Sequence, residues 1–478
     1  MMRRATVSMA ALAMTAVLAT EARGWEAATT HAGLTEQSAT ESSLHERLLT
    51  QFGIDLGLFG GLTIPPKDAP ELFEVLRDLN PTHGYVPDTR GRQSALAWLV
   101  AGSVIADVPV AAARNHFFDP SKGRGLVIDG DLPGPFAGRR LALKYVGTSD
   151  ATPAPEWIRA AENPLNLDGF YGQYRRAVLA RTPGERERHL AATLLAAGAV
   201  LHVLQDMGSP SHVRNDFGAH LAKLSDDKTD VGSRFERIAA LAYGRLGVAA
   251  PSREVAFTRI DDFFTSIDGT GLAQWTAGGF FSSGTLPGTI AVEPRARAVQ
   301  LAERIAGALD LPNPAPLAAG LDLIGAGKPG GATLVDDSGV CLARYEIRSY
   351  ELQWSTDDDC QLEQIAIILP EVSAYSRGLL DQLFRGALAI SRSDAGGAVV
   401  SVGDTELGAG TVTIVWGDSR GVRAQIGEPI EATGGTVGAT LATVDTLPPD
   451  ARSVAALFEG VDTNGERVVA AGMLDLTE

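Results

Sequence analysis

Apolar positions run almost unbroken from Leu190 to Leu204, an alanine-rich stretch with no proline and one glycine. Such continuity predicts a buried helix. Thr182-Pro-Gly-Glu185 reads as a capping box with proline at the first helical position, so the helix starts there. Gly208 and Pro210 stop it. Leu34, Leu44, Leu48, Leu49 and Phe52 recur at helical spacing, and an apolar helix around Trp98 ends at Pro109. Residues 164–170 read as a loop, Tyr171 to Thr182 as a helix, and a further helix runs from about Glu293 to Leu309. A Pro/Gly-rich loop follows through Gly331. Leu362 to Ala387, broken or kinked near Pro370, has the spacing of a final helix pair through Leu379, Leu380, Leu383 and Phe384.

From about Ile390 the period changes. Ala398 to Gly403, Thr411 to Trp416, Arg452 to Val461 and Arg467 to Leu474 are short β-rich runs, and Asn464-Gly465 is a two-residue hairpin signal between the last two. The fold class is therefore mainly α, a multi-helical domain followed by a small C-terminal β-sandwich. The expected division is 1–24 signal peptide, 25–388 helical domain and 389–478 β-sandwich accessory domain. Residues 252 to 290, with Asp261-Asp-Phe-Phe and Gly279-Phe-Phe-Ser-Ser-Gly, suit either a pocket rim or a packed surface loop.

With 478 residues the chain has room for two domains. Its net charge of −17 argues against broad, non-specific binding to nucleic acid or anionic membrane, although a multi-metal site would be positive locally. Arg3 and Arg4, the apolar run Ala5 to Ala19 and the small-x-small site Ala22-Arg23-Gly24 read as a secretory signal peptide. The mature chain then begins at Trp25 and is secreted or periplasmic, with no cysteine placed for a lipid anchor and no other stretch read as a membrane helix. Cys341 and Cys360 flank Tyr345 to Trp354, which alternates like two short strands. A disulfide closing this loop and a pair of free buried thiols are both compatible with that spacing.

Three of the eight histidines fall at 202, 212 and 220. His202 and Asp206, four apart, share one helix face, and His212 follows on the turn. Imidazole and carboxylate are usual zinc donors, while a satisfied His–Asp pair is the plainer reading. Asp107 sits at the last turn of the Trp98 helix, where a carboxylate is unfavourable without a nearby cation. His116-Phe-Phe-Asp-Pro follows. Cleavage before Trp25 would free an α-amino group that can chelate a metal with its own carbonyl, and His31 lies six residues on. His45, His83 and His189 lack a partner pattern and read as surface or structural.

The His-x3-Asp-x5-His run, His116-Phe-Phe-Asp-Pro and Trp25 with His31 resemble, in the same order, the motifs of the bacterial zinc-dependent phospholipases C. These share a superfamily with fungal zinc-dependent single-strand nucleases. The resemblance spans roughly residues 25 to 388 and implies three zinc ions. One takes Asp107, His116, His202 and Asp206; a second takes Trp25, His31 and a bridging Asp206. The third takes His212 and His220 with an acid, Glu236 in preference to Asp216, because the family's usual His-x3-acid pair is absent. It also implies that Asp107 orients or deprotonates the attacking water. The expected activity is hydrolysis of a phospholipid phosphodiester at a membrane surface, with no obligate protein partner. The alternatives are a single-strand nuclease or other phosphodiesterase, and a non-catalytic metal-binding surface protein.

Overall fold

In the computed structural model the central helix is built as its termini require. The Thr182 hydroxyl accepts from Glu185 N while the Glu185 carboxylate takes Thr182 N, and Pro183 opens a helix that runs to Asp206. The structure describes residues 27–79, 85–127, 151–220, 234–246, 251, 253–286, 290–291, 298–309, 332–336, 338–348 and 351–477. The expected signal peptide, Trp25, His83 and the Pro/Gly-rich connection up to Gly331 lie outside these, as do residues 292–297 before the helix at Ala298–Leu309.

In chain order the helices are α1 (Ala32–Glu41), α2 (Leu44–Phe52), α3 (Pro70–Leu79), α4 (Ala95–Ile105), α5 (Ala154–Trp157), α6 (Leu167–Leu179), α7 (Pro183–Asp206), α8 (Pro210–Val213), α9 (Phe217–His220), α10 (Arg234–Leu246), α11 (Leu272–Gly279), α12 (Ala298–Leu309) and α13 (Asp358–Leu383). α7 is the core of the helical part, packed by α4, α6 and α13. By length and composition it is apolar enough to cross a membrane, contrary to the expectation that nothing beyond the leader is, but nearly all of its apolar window is buried inside the fold. α4 and α7 cross at two glycines. A Cβ on Gly198 would stand 1.9 Å from the Leu99 carbonyl oxygen, and one on Gly102 would stand 2.1 Å from that of Leu195. Only hydrogen fits between these backbones.

Two local expectations are corrected and one open alternative is resolved. α6 begins at Leu167 because the Asn166 side chain accepts from Gly169 N (2.7 Å), so the preceding loop is shorter than 164–170. α13, capped by Asp357, continues through Pro370 as one helix. The ring removes one backbone donor, while Ile365, Ile368, Leu369 and Val372 on either side are buried in the core. The aromatics at 263, 264, 280 and 281 are buried, so this region is packed rather than an open rim. Only Phe281, with Ser282 and Ser283, borders a small cavity of about 80 Å³ beside Ser211.

A short pair joins β1 (Gly61–Thr63) to β2 (Arg92–Ser94). A second sheet, inserted before α13, has the order β3 (Ile290–Ala291), β6 (Glu351–Ser355), β5 (Cys341–Arg348), β4 (Ala332–Val335). A Cys341–Cys360 disulfide ties β5 to the first turn of α13, which removes the free-thiol reading.

The C-terminal part is a β-sandwich. One sheet holds β10 (Arg423–Gln425), β9 (Leu407–Gly417), β13 (Ser453–Asp462) and β14 (Arg467–Asp475), with β11 (Ile430–Ala432) also on β9. The other holds β12 (Thr440–Val444), β8 (Ala398–Val402) and β7 (Leu388–Arg392). Val400 and Val402 meet Val412, Ile414 and Phe458 between the sheets, while Leu457, Val469 and Ala471 face outward and join the helical core. The last hairpin has a three-residue loop rather than two. Asp462 N donates to Glu466 O, only Gly465 has positive φ, and the Asp462 carboxylate takes the N–H groups of Asn464 and Glu466.

Candidate metal centre

The α4–α7 crossing sets Ser103, near the end of α4, against His202 in the last turn of α7. His202 Nδ1 donates to the Ser103 carbonyl at 2.7 Å, which leaves Nε2 as the nitrogen that could offer a lone pair to a metal once deprotonated. Asp107 lies just beyond α4, with Oδ1 3.4 Å from His202 Nε2 and 3.1 Å from His116 Nδ1. Asp206 Oδ2 is 3.3 Å from His202 Nε2 and 3.1 Å from His116 Nδ1, and its Oδ1 is 3.3 Å from His31 Nε2. His31 ends the turn before α1 and stacks on His202 with ring centroids 3.7 Å apart. All five side chains are buried.

A second cluster forms where the chain turns out of α7. His212 sits on α8 and donates Nδ1 to the His116 carbonyl (3.0 Å), with Phe117 stacked on its ring at 4.2 Å. Asn215, at φ 55, breaks the chain between α8 and α9, so 212, 216 and 220 do not form one helical stripe. Glu236 of α10 stands 3.4 Å from His212 Nε2 and 3.6 Å from His220 Nδ1. Asp216 is engaged elsewhere, accepting from Ser282 Oγ, Gly284 N and Ala219 N. Three groups thus gather ligand atoms within 4.8 Å of one another: His31, His202 and Asp206; Asp107, His116 and His202; His212, His220 and Glu236. His202 belongs to two of them, where the sequence assigned it to one. His45 instead takes Leu58 N, and His189 meets Gln173, each a local structural contact.

Two supporting residues were not singled out from the sequence. Gln205 Oε1 accepts from His31 Nδ1 at 2.7 Å, and its amide nitrogen donates to Thr35 Oγ1. Ser209 Oγ donates to Glu236 Oε1 at 2.7 Å. The available signal was a glutamine closing an otherwise apolar run, directly before Asp206.

Charge is tightly balanced. Burial opposes a proton on His202, yet Asp107 and Asp206 outweigh it and raise the imidazole to about 10. Burial likewise opposes charge on His212, but Asp206 and Glu236 raise it to about 9. Burial pushes Glu236 up, and His220 and His212 override this, holding it at about 2. Asp107 and Asp206 are also held well below the usual carboxylate range against burial, chiefly by His202 and by His212 respectively. His31 is lowered by burial and by the His202 charge beside it.

Despite these approaches, many buried donor atoms make no hydrogen bond: His31 Nε2, His116 Nε2, His202 Nε2, His212 Nε2, His220 Nδ1, both Asp107 oxygens and Asp206 Oδ1. Each such atom costs about 1–3 kcal/mol when left unsatisfied in a protein interior. A set of imidazole nitrogens and carboxylate oxygens at this spacing fits divalent zinc.

No protein-family model matches the chain, and no curated protein sequence matches it. Among solved structures it is similar to the alpha-toxin of Clostridium perfringens from an avian strain, at 13% identity and a TM-score of 0.29 over 95% of this chain and 96% of that one. It is also similar to the alpha toxin of Clostridium absonum, at 12% identity and a TM-score of 0.29 with the same coverage.

Proposed function

We propose that the chain is an exported zinc-dependent phosphodiester hydrolase of the phospholipase C kind, releasing a phosphorylated head group from a phospholipid. The observation that carries this reading is the set of buried, hydrogen-bond-free imidazole and carboxylate atoms converging at the end of α7. Asp107, His116, His202 and Asp206 would hold one ion. His31 and Asp206, with Trp25, would hold a second, and His212, His220 and Glu236 a third. Zinc in such sites lowers the pKa of water from ~16 towards ~7 and offsets charge building on a phosphodiester.

The chain's own groups do the rest. Ser103 O, Gln205 and His116 O fix which nitrogen of His202, His31 and His212 carries the lone pair. Asp107, held well below the usual carboxylate range, stays ionised at neutral pH, so its carboxylate can accept a hydrogen bond from water and orient it. Asp206 faces His31 on one oxygen and His116 and His202 on the other, the geometry of a bridging carboxylate. The helical part, 25–388, carries this chemistry, with the β-sandwich, 389–478, as an accessory domain. The His116-Phe-Phe-Asp-Pro run resembles the phospholipase form of the motif more than the nuclease form, which supports a lipid head group over nucleic acid as substrate.

Mature protein should hydrolyse phosphatidylcholine, lose that activity to a chelator and regain it with Zn²⁺. Turnover of single-stranded DNA with none of phosphatidylcholine would instead favour a nuclease. Chelator-resistant hydrolysis would remove the metal from the account.

A further inference from the structure

The first turns of α7 meet the β-sandwich, and a cavity of about 170 Å³ lies at the junction. Its wall carries two guanidiniums, Arg186 from α7 and Arg423 from β10. Arg423 is 8% exposed. Its Nη1 donates to Val178 O at 2.7 Å, but Nη2 has only the Met473 thioether at 3.4 Å, a weak acceptor. Arg186, half-buried, donates through Nη1 to Gly421 O at 2.8 Å. Among the described residues neither guanidinium has a carboxylate within ion-pair distance. Glu187 shares the cavity wall and lies 3.8 Å from Arg92. Burial lowers both arginine pKa values, Arg423 to about 10 with the Arg186 charge adding to the effect, while Glu187 and Glu185 partly offset it at Arg186.

Two like charges brought together in a partly desolvated cavity, neither in a direct ion pair, are unfavourable. Guanidiniums present donors in a planar fork that matches the oxygens of phosphate. The cavity is much larger than a single water needs, and Phe52, Ile54 and Leu190 close its apolar side. We propose that this cavity binds an oxyanion of the phosphate class between Arg186 and Arg423, clamping the β-sandwich to the helical part. Inorganic phosphate and a small phosphomonoester share this chemistry. The site is independent of the metal centre, since Arg186 and His202 are sixteen residues apart on one helix, about 24 Å at ~1.5 Å per residue.

The test titrates zinc-loaded, full-length protein with inorganic phosphate or, in a second arm, glycerol 3-phosphate, following heat of binding and Tm. Phosphate should raise the Tm of wild type and of the metal-centre variant Asp206→Asn alike. The tighter of the two probes identifies the source of the anion. Arg186→Gln, at a half-buried position that tolerates change better than Arg423, should weaken binding about tenfold or more while leaving phosphodiesterase turnover unchanged. Arg423→Lys should weaken it too, because a point charge replaces the fork. The proposal is overturned if wild type shows no response, or if sodium chloride at matched ionic strength gives the same response. A response kept in Arg186→Gln but lost in Asp206→Asn also overturns it, because the anion then belongs to the metal centre.

Discussion

Asp206 meets three imidazoles with two oxygens, and no other carboxylate among the described residues joins His31 to His116 and His202. Asp206→Asn keeps the shape but supplies no charge to offset two metals. Zinc content should fall and turnover drop by about 10²-fold or more; wild-type values for both would show that Asp206 is not the bridge. The histidines give a second check. In the metal-free chain His202 and His212, at about 10 and about 9, hold protons at pH 7. A metal needs those lone pairs, so binding releases protons and affinity rises with pH until those values are passed. Calorimetry at pH 7 in buffers of different ionisation enthalpy should register about two protons released; no release would contradict the charge balance. At this scale the sequence was legible wherever helical spacing put ligands on one face, as for His202 and Asp206. The choice of Glu236 over Asp216 depended on Asn215 breaking the helix, and Gln205 acts through His31, which lies 174 positions away.

Helix crossings position the ligands. Gly198 and Gly102 let α4 and α7 touch, and that contact places the Ser103 carbonyl on His202. Gly198→Ala puts a methyl 1.9 Å from the Leu99 oxygen, so the helices must part. The variant should lose about 1–3 kcal/mol of stability and bind zinc more weakly; unchanged thermal unfolding and zinc content would show that the crossing does not set the site. The α7 start was readable because its capping box is local. Pro370 does not break the helix, because buried contacts on both sides offset one missing hydrogen bond. The Asn464-Gly465 hairpin misled for a related reason, since the Asp462 carboxylate collects the loop N–H groups and selects the three-residue form.

The mainly helical body and terminal sandwich followed from a change of hydrophobic period near Ile390. How the two parts join did not, because it rests on single long-range contacts. Arg385, at the end of α13, donates to the buried Asp462 carboxylate (3.2 Å) and to the Arg467 carbonyl. Arg385→Met leaves that carboxylate buried without its cation and should cost about 3–5 kcal/mol, read as a lowered Tm. A change within error would mean that the loop N–H groups alone satisfy Asp462. The three candidate metal groups lie wholly in the helical body, between His31 and Glu236, so any occupancy is a property of that body. The central claim is that these clusters are metal sites, and elemental analysis of mature protein made in zinc-replete medium tests it most directly. The account predicts three zinc ions per chain, one for each group; less than one per chain would contradict it.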